Sequence, residues 1–182
     1  MNLANLISLA RLISVPVVVW AILVDEMGLA FGLFMAAGIS DAVDGFVAKH
    51  FHTESVFGSY LDPLADKALI MSVYITLGHQ GYLPIWLVIL VVFRDILIVG
   101  GVLLLFTIGP RDLRVAPLVI SKINTAAQII LAAVALGGEA FGMPQPTVMM
   151  VLVWLIAATT ALSGASYIVQ WSRNVSDMED RR

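Results

Sequence analysis

Four aspartates, Asp41, Asp44, Asp62 and Asp66, and one lysine, Lys67, fall inside two stretches that otherwise read as membrane-spanning helix. A charged side chain at bilayer depth costs about 2.5–3.5 kcal/mol even on lenient insertion scales, so a chain that keeps five has a use for them. In the earlier stretch Asp41, Asp44, Gly45 and Ala48 recur at i, i+3, i+4 and i+7, one stripe of a helix. In the later one Gly58, Asp62 and Asp66 recur at i, i+4 and i+8. The two helices run in opposite directions, so a rise of about 1.5 Å per residue sets Asp41 level with Asp66 and Asp44 level with Asp62. Four carboxylates brought together at that depth cannot all stay ionised without a strong positive charge among them. Oxygen-only donors select hard cations, Mg²⁺ or Mn²⁺, with two ions expected to share the site. Such ions stabilise phosphate charge during displacement and activate an attacking hydroxyl. The small residues beside the aspartates leave bare helix surface for a bulky headgroup.

The elements that must position this site are all helical. The 182 residues are 60% hydrophobic, with a mean hydropathy of +0.95, well above an average soluble domain. Six stretches have the roughly 20 apolar residues a span requires: Ile7–Val24, Leu29–Lys49, Phe57–Leu77, Pro84–Phe106, Leu118–Leu136 and Thr147–Trp171. Short connections rich in glycine, proline or charge separate them. The expected fold is an all-α integral membrane domain over residues 1–182, with six transmembrane helices and the functional motif at 41–66. Asn2–Leu9 is expected to lie along the interface before the chain turns inward. A net charge of −3 points away from nucleic acid, and the absence of cysteine excludes disulfides and thiolate chemistry.

Basic residues set the orientation. With six spans, Lys49, Arg111, Arg114, Arg173, Arg181 and Arg182 share one side, with Arg11 and Lys122 near the same ends. The opposite side carries Asp25, Glu26, His79 and Glu139 but no lysine or arginine. Both termini and the aspartates are therefore expected on the cytoplasmic side. No basic segment precedes Arg11 and no cleavage site follows the first apolar run, so the N-terminus is expected to be retained. The lack of an Arg-rich leader favours a bacterial inner membrane over an imported mitochondrial protein.

The run Asp41-Ala-Val-Asp44-Gly45-Phe-Val-Ala48-Lys49, eight residues, then Gly58-Ser-Tyr-Leu-Asp62-Pro-Leu-Ala-Asp66 resembles the signature of the CDP-alcohol phosphatidyltransferase family, D-x2-D-G-x2-A-R-x8-G-x3-D-x3-D. It departs at Lys49, which keeps the charge of the family arginine without its planar bidentate fork. The resemblance implies a six-span fold in which Asp41, Asp44, Asp62 and Asp66 hold two metal ions and Asp66 is also the general base. It implies a nucleotide site at Asp44, Gly45, Ala48, Lys49 and Gly58, with CDP-diacylglycerol as donor, CMP as leaving group and a homodimeric assembly in the bilayer.

Within the family, Asp62-Pro-Leu-Ala-Asp66-Lys67, Arg94-Asp95, Ile120-Ser-Lys-Ile-Asn-Thr125 and Thr159-Thr160 leading to Tyr167 resemble the cardiolipin synthases of the CDP-alcohol type. That implies phosphatidylglycerol as acceptor, with cardiolipin and CMP as products. The opening Asn5-Leu-Ile-Ser8-Leu-Ala-Arg11 resembles the N-x-x-T-x-x-R opening of the branch that uses glycerophosphate and phosphatidylglycerol, with serine for threonine; a phosphatidylglycerophosphate synthase, the same chemistry with glycerol 3-phosphate as acceptor, is the alternative. A divalent-cation transporter is a third reading, disfavoured because no polar relay reaches the opposite side. Arg94 lies mid-span and must pair with a carboxylate or a phosphate; Arg111, Arg114 and Lys122 cluster at the cytoplasmic mouth. Together Arg94, Arg111, Arg114 and Lys122 are the candidate site for the acceptor phosphate.

Overall fold

A computed structural model describes the backbone of residues 3–51, 58–108 and 119–179 and the side chains of residues 7–40, 64–100 and 120–167. The described residues form six helices and no strand: α1 (Leu3–Leu23), α2 (Met27–Phe51), α3 (Gly58–His79), α4 (Ile85–Ile108), α5 (Val119–Ala140) and α6 (Pro146–Glu179). Each expected span lies within one helix to within a few residues. One expectation is corrected. No separate interfacial segment precedes the first span, because α1 runs unbroken from Leu3. Nothing in Leu9-Ala10-Arg11 breaks a helix, and one buried stripe (Ser8, Arg11, Val18, Ile22) continues straight across the expected bend. Pro16 sits inside α1 and is exposed, so the backbone bond it removes falls on the outer face. The last helix runs past the expected end at Trp171, since no glycine or proline follows Gly164.

α1 packs against α2 and α3, α5 against α2, α3 and α6, and α4 against α3 and α6. Among the described residues the core includes Ile22 of α1, Phe34 of α2, Tyr74 and Leu77 of α3, Leu87 and Val91 of α4, Leu131 and Leu136 of α5 and Ile156 of α6. Alanines 21, 30, 132 and 135 among them let the helix backbones approach closely. The outer surface is apolar, with Ile13, Ile89, Phe93 and Trp154 each more than 60% exposed. Bare hydrophobic surface on this scale marks an interaction with something other than water. Ile120–Ala140 and Pro146–Tyr167 are long and apolar enough to cross a membrane by length and composition.

The connections far from the aspartates are closed tightly. At the ends of α1, α3 and α5 the chain turns through Asp25 (φ 65°), Gly81 (φ 85°) and Gly142 (φ 63°). In each the next residue's N–H reaches back to the last turn: Glu26 to Ala21, Tyr82 to Leu77 and Met143 to Gly138. These are Schellman caps, which satisfy orphan carbonyls and stop the helix. Only the first places a non-glycine in the left-handed region, and Tyr82 Oη, in the turn after α3, donates to Asp25 Oδ1 at 3.0 Å and links the two turns.

Candidate active site

Asp41 and Asp44 lie on α2 and Asp62 and Asp66 on α3, the two helices that the spacing assigned to them. The side chains of Asp41, Asp44, Gly45, Ala48, Lys49, Gly58 and Asp62 lie outside the described residues, as do Arg111 and Arg114 altogether. Among the described residues α2 and α3 do not pack on each other; α1 and α5 stand beside both. Between the four helices lies a cavity of about 350 Å³, lined by Arg11, by Phe34, Met35, Ala37, Gly38 and Ile39 of α2, by Asp66, Leu69 and Ile70 of α3 and by Thr125 and Ile129 of α5. Its mouth is apolar, with Met35, Ile39 and Ile129 37%, 59% and 40% exposed. Asp66 stands at its polar end with its side chain 36% exposed.

Asp66 Oδ1 accepts a hydrogen bond from Arg11 Nη1 in a charged pair. From sequence Arg11 counts as an orientation determinant and as the last residue of the Asn5–Arg11 opening, with no partner assigned. It is instead 4% exposed on α1 and reaches the carboxylate expected to carry the chemistry. The signal was available: a guanidinium in an otherwise apolar helix, one turn from Ser8, requires an interior partner.

Lys67, next along α3, points elsewhere. Its Nζ donates to Asp95 Oδ2 at 2.7 Å, and Asp95 Oδ1 accepts from Arg94 Nη1 at 2.6 Å. Arg94 Nη2 donates to Ser121 Oγ at 2.5 Å and Ser163 Oγ at 2.8 Å. One carboxylate thus holds two cations, and the network ties α3, α4, α5 and α6 together. Of the two partners open to Arg94 from sequence, the structure supplies the carboxylate. At 3% exposure the guanidinium must be paired inside the protein, and both its terminal nitrogens are engaged there rather than at the cytoplasmic mouth. Lys122 is exposed and does not join it.

One turn deeper, Asn124 Oδ1 accepts from Thr159 Oγ1 at 2.8 Å and Thr160 Oγ1 at 3.0 Å. Below that, Tyr74 Oη donates to the Gln128 carbonyl at 3.1 Å. Ser121, Asn124 and Gln128 recur at i, i+3 and i+7 and make a polar seam down α5. Sequence reading singled out the first two segments of this seam but not Gln128, because a lone glutamine within an apolar run carries no pattern.

Among the described residues Asp66 is the one carboxylate of the cavity wall, where it is paired with Arg11; the neighbouring ammonium is drawn off to Asp95, and no group of three or more metal-ligating side chains stands together.

A six-helix fold with this aspartate register defines the class: the chain belongs to the CDP-alcohol phosphatidyltransferase family, whose pattern matches residues 1–172. The family is membrane-embedded. Among its relatives, the chloroplastic CDP-diacylglycerol–glycerol-3-phosphate 3-phosphatidyltransferase 1 of Oryza sativa subsp. japonica is 40% identical, over 94% of this chain and 57% of its own length. The cardiolipin synthase (CMP-forming) of Rattus norvegicus is 35% identical, over 91% of this chain and 60% of its own length. The CDP-diacylglycerol–glycerol-3-phosphate 3-phosphatidyltransferase of Bacillus subtilis (strain 168) is 32% identical, over 91% of this chain and 93% of its own. The chain thus spans about three fifths of the rice and rat relatives and nearly all of the bacterial one.

Proposed function

We propose that this chain is a metal-dependent phosphatidyltransferase whose six helices all cross the bilayer, with termini and aspartates on the cytoplasmic side of a bacterial inner membrane. The apolar outer surface and the one-sided distribution of lysine and arginine support that topology. Asp41, Asp44, Asp62 and Asp66 hold Mg²⁺ or Mn²⁺, two ions in all, and Asp44, Gly45, Ala48, Lys49 and Gly58 seat the CDP group. When bound, the cations neutralise phosphate charge in the displacement. The acceptor hydroxyl oxygen attacks the phosphatidyl phosphorus, its proton passes to Asp66, and the bond to CMP breaks. Asp95 holds the Lys67 ammonium, and Asp66 is paired with the Arg11 guanidinium. Arg111, Arg114 and Lys122 receive the acceptor phosphate. A homodimer belongs to the same reading.

For the acceptor we infer phosphatidylglycerol, giving cardiolipin and CMP. One observation carries this choice. The separate segments that resemble cardiolipin synthases (Lys67, Arg94-Asp95, Ser121 to Asn124, Thr159-Thr160) meet as neighbouring layers of one buried polar seam behind Asp66. The apolar mouth of the cavity also suits an acceptor arriving from the bilayer. Glycerol 3-phosphate is the second reading, supported by the names of the rice and Bacillus relatives. Purified protein is given Mn²⁺, CDP-diacylglycerol and one acceptor at a time, and CMP release is followed. Release with phosphatidylglycerol alone is expected. Release with glycerol 3-phosphate alone selects the second reading, and release with neither overturns the transferase assignment.

A further inference from the structure

At the end of the bundle where α3 and α5 stop and α4 and α6 begin lies a second cavity, of about 590 Å³. The turn after α3 supplies Tyr82, the first turn of α4 Trp86, the last turn of α5 Glu139, and α6 Met150 and Trp154. The two indole rings stand 5.6 Å apart, tilted by 41°, and both are exposed on the apolar outer surface. Indoles at the rim of a bilayer anchor a helix, but their faces also attract a cation. Glu139 makes the difference. A carboxylate in the last turn of a helix opposes the helix dipole, so this one does not serve the helix it stands on. Among the described residues no ion pair holds it, and the connecting segments 24–28, 79–84 and 140–145 contain no lysine or arginine. Tyr82 gives its O–H to Asp25 rather than to Glu139.

We propose that this cavity binds the ammonium group of an aminophospholipid from the outer leaflet, with Glu139 as its counter-charge and Trp86 and Trp154 as an aromatic wall. Charge complementarity disfavours a headgroup of net negative charge, because Asp25, Glu26 and Glu139 share this end of the chain's helices with no basic residue in the turns. The outer surface selects a lipid over a free amine. Trp86 and Ile89 fall at i and i+3 on α4, Met150 and Trp154 at i and i+4 on α6, and all four are exposed where acyl chains would lie. The phosphate beside the ammonium is left to the first turns of α4 and α6, which start at the same rim, next to Pro84 and at Pro146, with N–H groups that lack helical partners. The inference rests on the proposed six-span topology and not on the transferase chemistry.

The chain has four tryptophans, and Trp20→Phe with Trp171→Phe leaves only the two of the cavity as reporters. This full-length protein, in an uncharged detergent, is titrated with short-chain phosphatidylethanolamine, with the same lipid N-acetylated, and with free ethanolamine, and tryptophan fluorescence is followed. The amine lipid is expected to bind about tenfold more tightly than its N-acetylated form, which has lost the positive charge. Free ethanolamine, without the apolar contact, is expected to bind about a hundredfold more weakly. Glu139→Gln is expected to cut the preference for the amine to about threefold or less, and Trp154→Leu, with Trp86 as reporter, to weaken amine-lipid binding about threefold or more. No saturable response, equal binding of the two lipids, or an undiminished preference in Glu139→Gln overturns the proposal and leaves the tryptophans as interfacial anchors. Ethanolamine binding as tightly as the lipid overturns the choice of occupant in favour of a soluble amine, and a response to protein concentration without lipid overturns it in favour of a second copy of this chain. The leaflet is tested separately with Glu26→Cys in a chain that has no other cysteine. Labelling by a membrane-impermeant maleimide in intact cells is expected; labelling only after permeabilisation overturns the topology and the leaflet assignment together and leaves the transferase chemistry standing.

Discussion

Replacing Asp95 by Asn tests the charge balance at the centre of the molecule. The Asp95 carboxylate is 1% exposed and bonded to Lys67 and Arg94 at 2.7 and 2.6 Å. The amide keeps the size and one acceptor but loses the charge, so two cations face each other around a neutral group. Arg94, itself 3% exposed, is left with serine hydroxyls and no counter-charge. Breaking a buried pair from one side costs about 3–5 kcal/mol, and Lys67, 27% exposed, adds little because water reaches it. For a chain of this size roughly 2–4 °C of melting temperature accompanies each kcal/mol, so a fall of about 6–20 °C is expected. The assay is thermal unfolding in detergent, followed by far-ultraviolet circular dichroism. The triple replacement Lys67→Leu, Arg94→Met, Asp95→Leu removes charge and counter-charge together and is expected to recover most of the loss. An Asp95→Asn protein melting within about 2 °C of wild type, less than 1 kcal/mol on that scale, refutes the claim that this carboxylate holds α3 and α4 together.

The same packing and charge arrangement set four other outcomes. Asp66→Asn is expected to lower CMP release by about 10²–10⁴-fold, the usual range for losing a general base; turnover above half of wild type counts against its role. Gln128 is 0% exposed and both its amide atoms lack a partner among the described residues, so Gln128→Leu is expected to stabilise by about 1–3 kcal/mol in the same melting assay. A Cβ at Gly78 would lie 2.7 Å from Val88 Cγ2, and because valine is stiff Gly78→Ala is expected to cost about 1–3 kcal/mol as α3 and α4 are forced apart. The hydrogen bond to Asp25, then burial and the charges of Asp25 and Glu139, raise the Tyr82 hydroxyl above its ordinary pKa of 10.0. A raised folded pKa gives stability that is whole below about pH 10 and lost as pH rises through the folded value. Melting temperatures between pH 8.5 and 11 are therefore expected to fall more steeply in wild type than in Tyr82→Phe.

Helix number, order and approximate ends followed from hydropathy and breakers alone, because a span must satisfy its backbone internally and needs a minimum length of apolar residues. The separate interfacial segment at Asn2–Leu9 was an over-reading. Its one-sided apolar pattern also fits the first turns of a longer helix, and only the continuous burial of Ser8, Arg11 and Val18 distinguishes the two. Placement of the four aspartates on two helices was legible because spacings of three, four and seven residues encode a helix face directly.

Partner choice was not legible. Arg94 had to meet an anion, but a carboxylate adjacent in sequence and a phosphate brought by substrate satisfy that demand equally well on paper. Asp95 stands beside Arg94 on α4, the packing of α4 on α6 brings Ser163, and the packing of α5 on α6 brings Ser121. The contact between Arg11 and Asp66, 55 residues apart, depends on α1 standing against α3, and no local spacing records that. Residue type and periodicity thus determined which groups share one face of a helix, since that is a property of one helix. Which inward-facing groups meet depends on how helices are arranged around one another, and that arrangement is set by summed packing along their whole length.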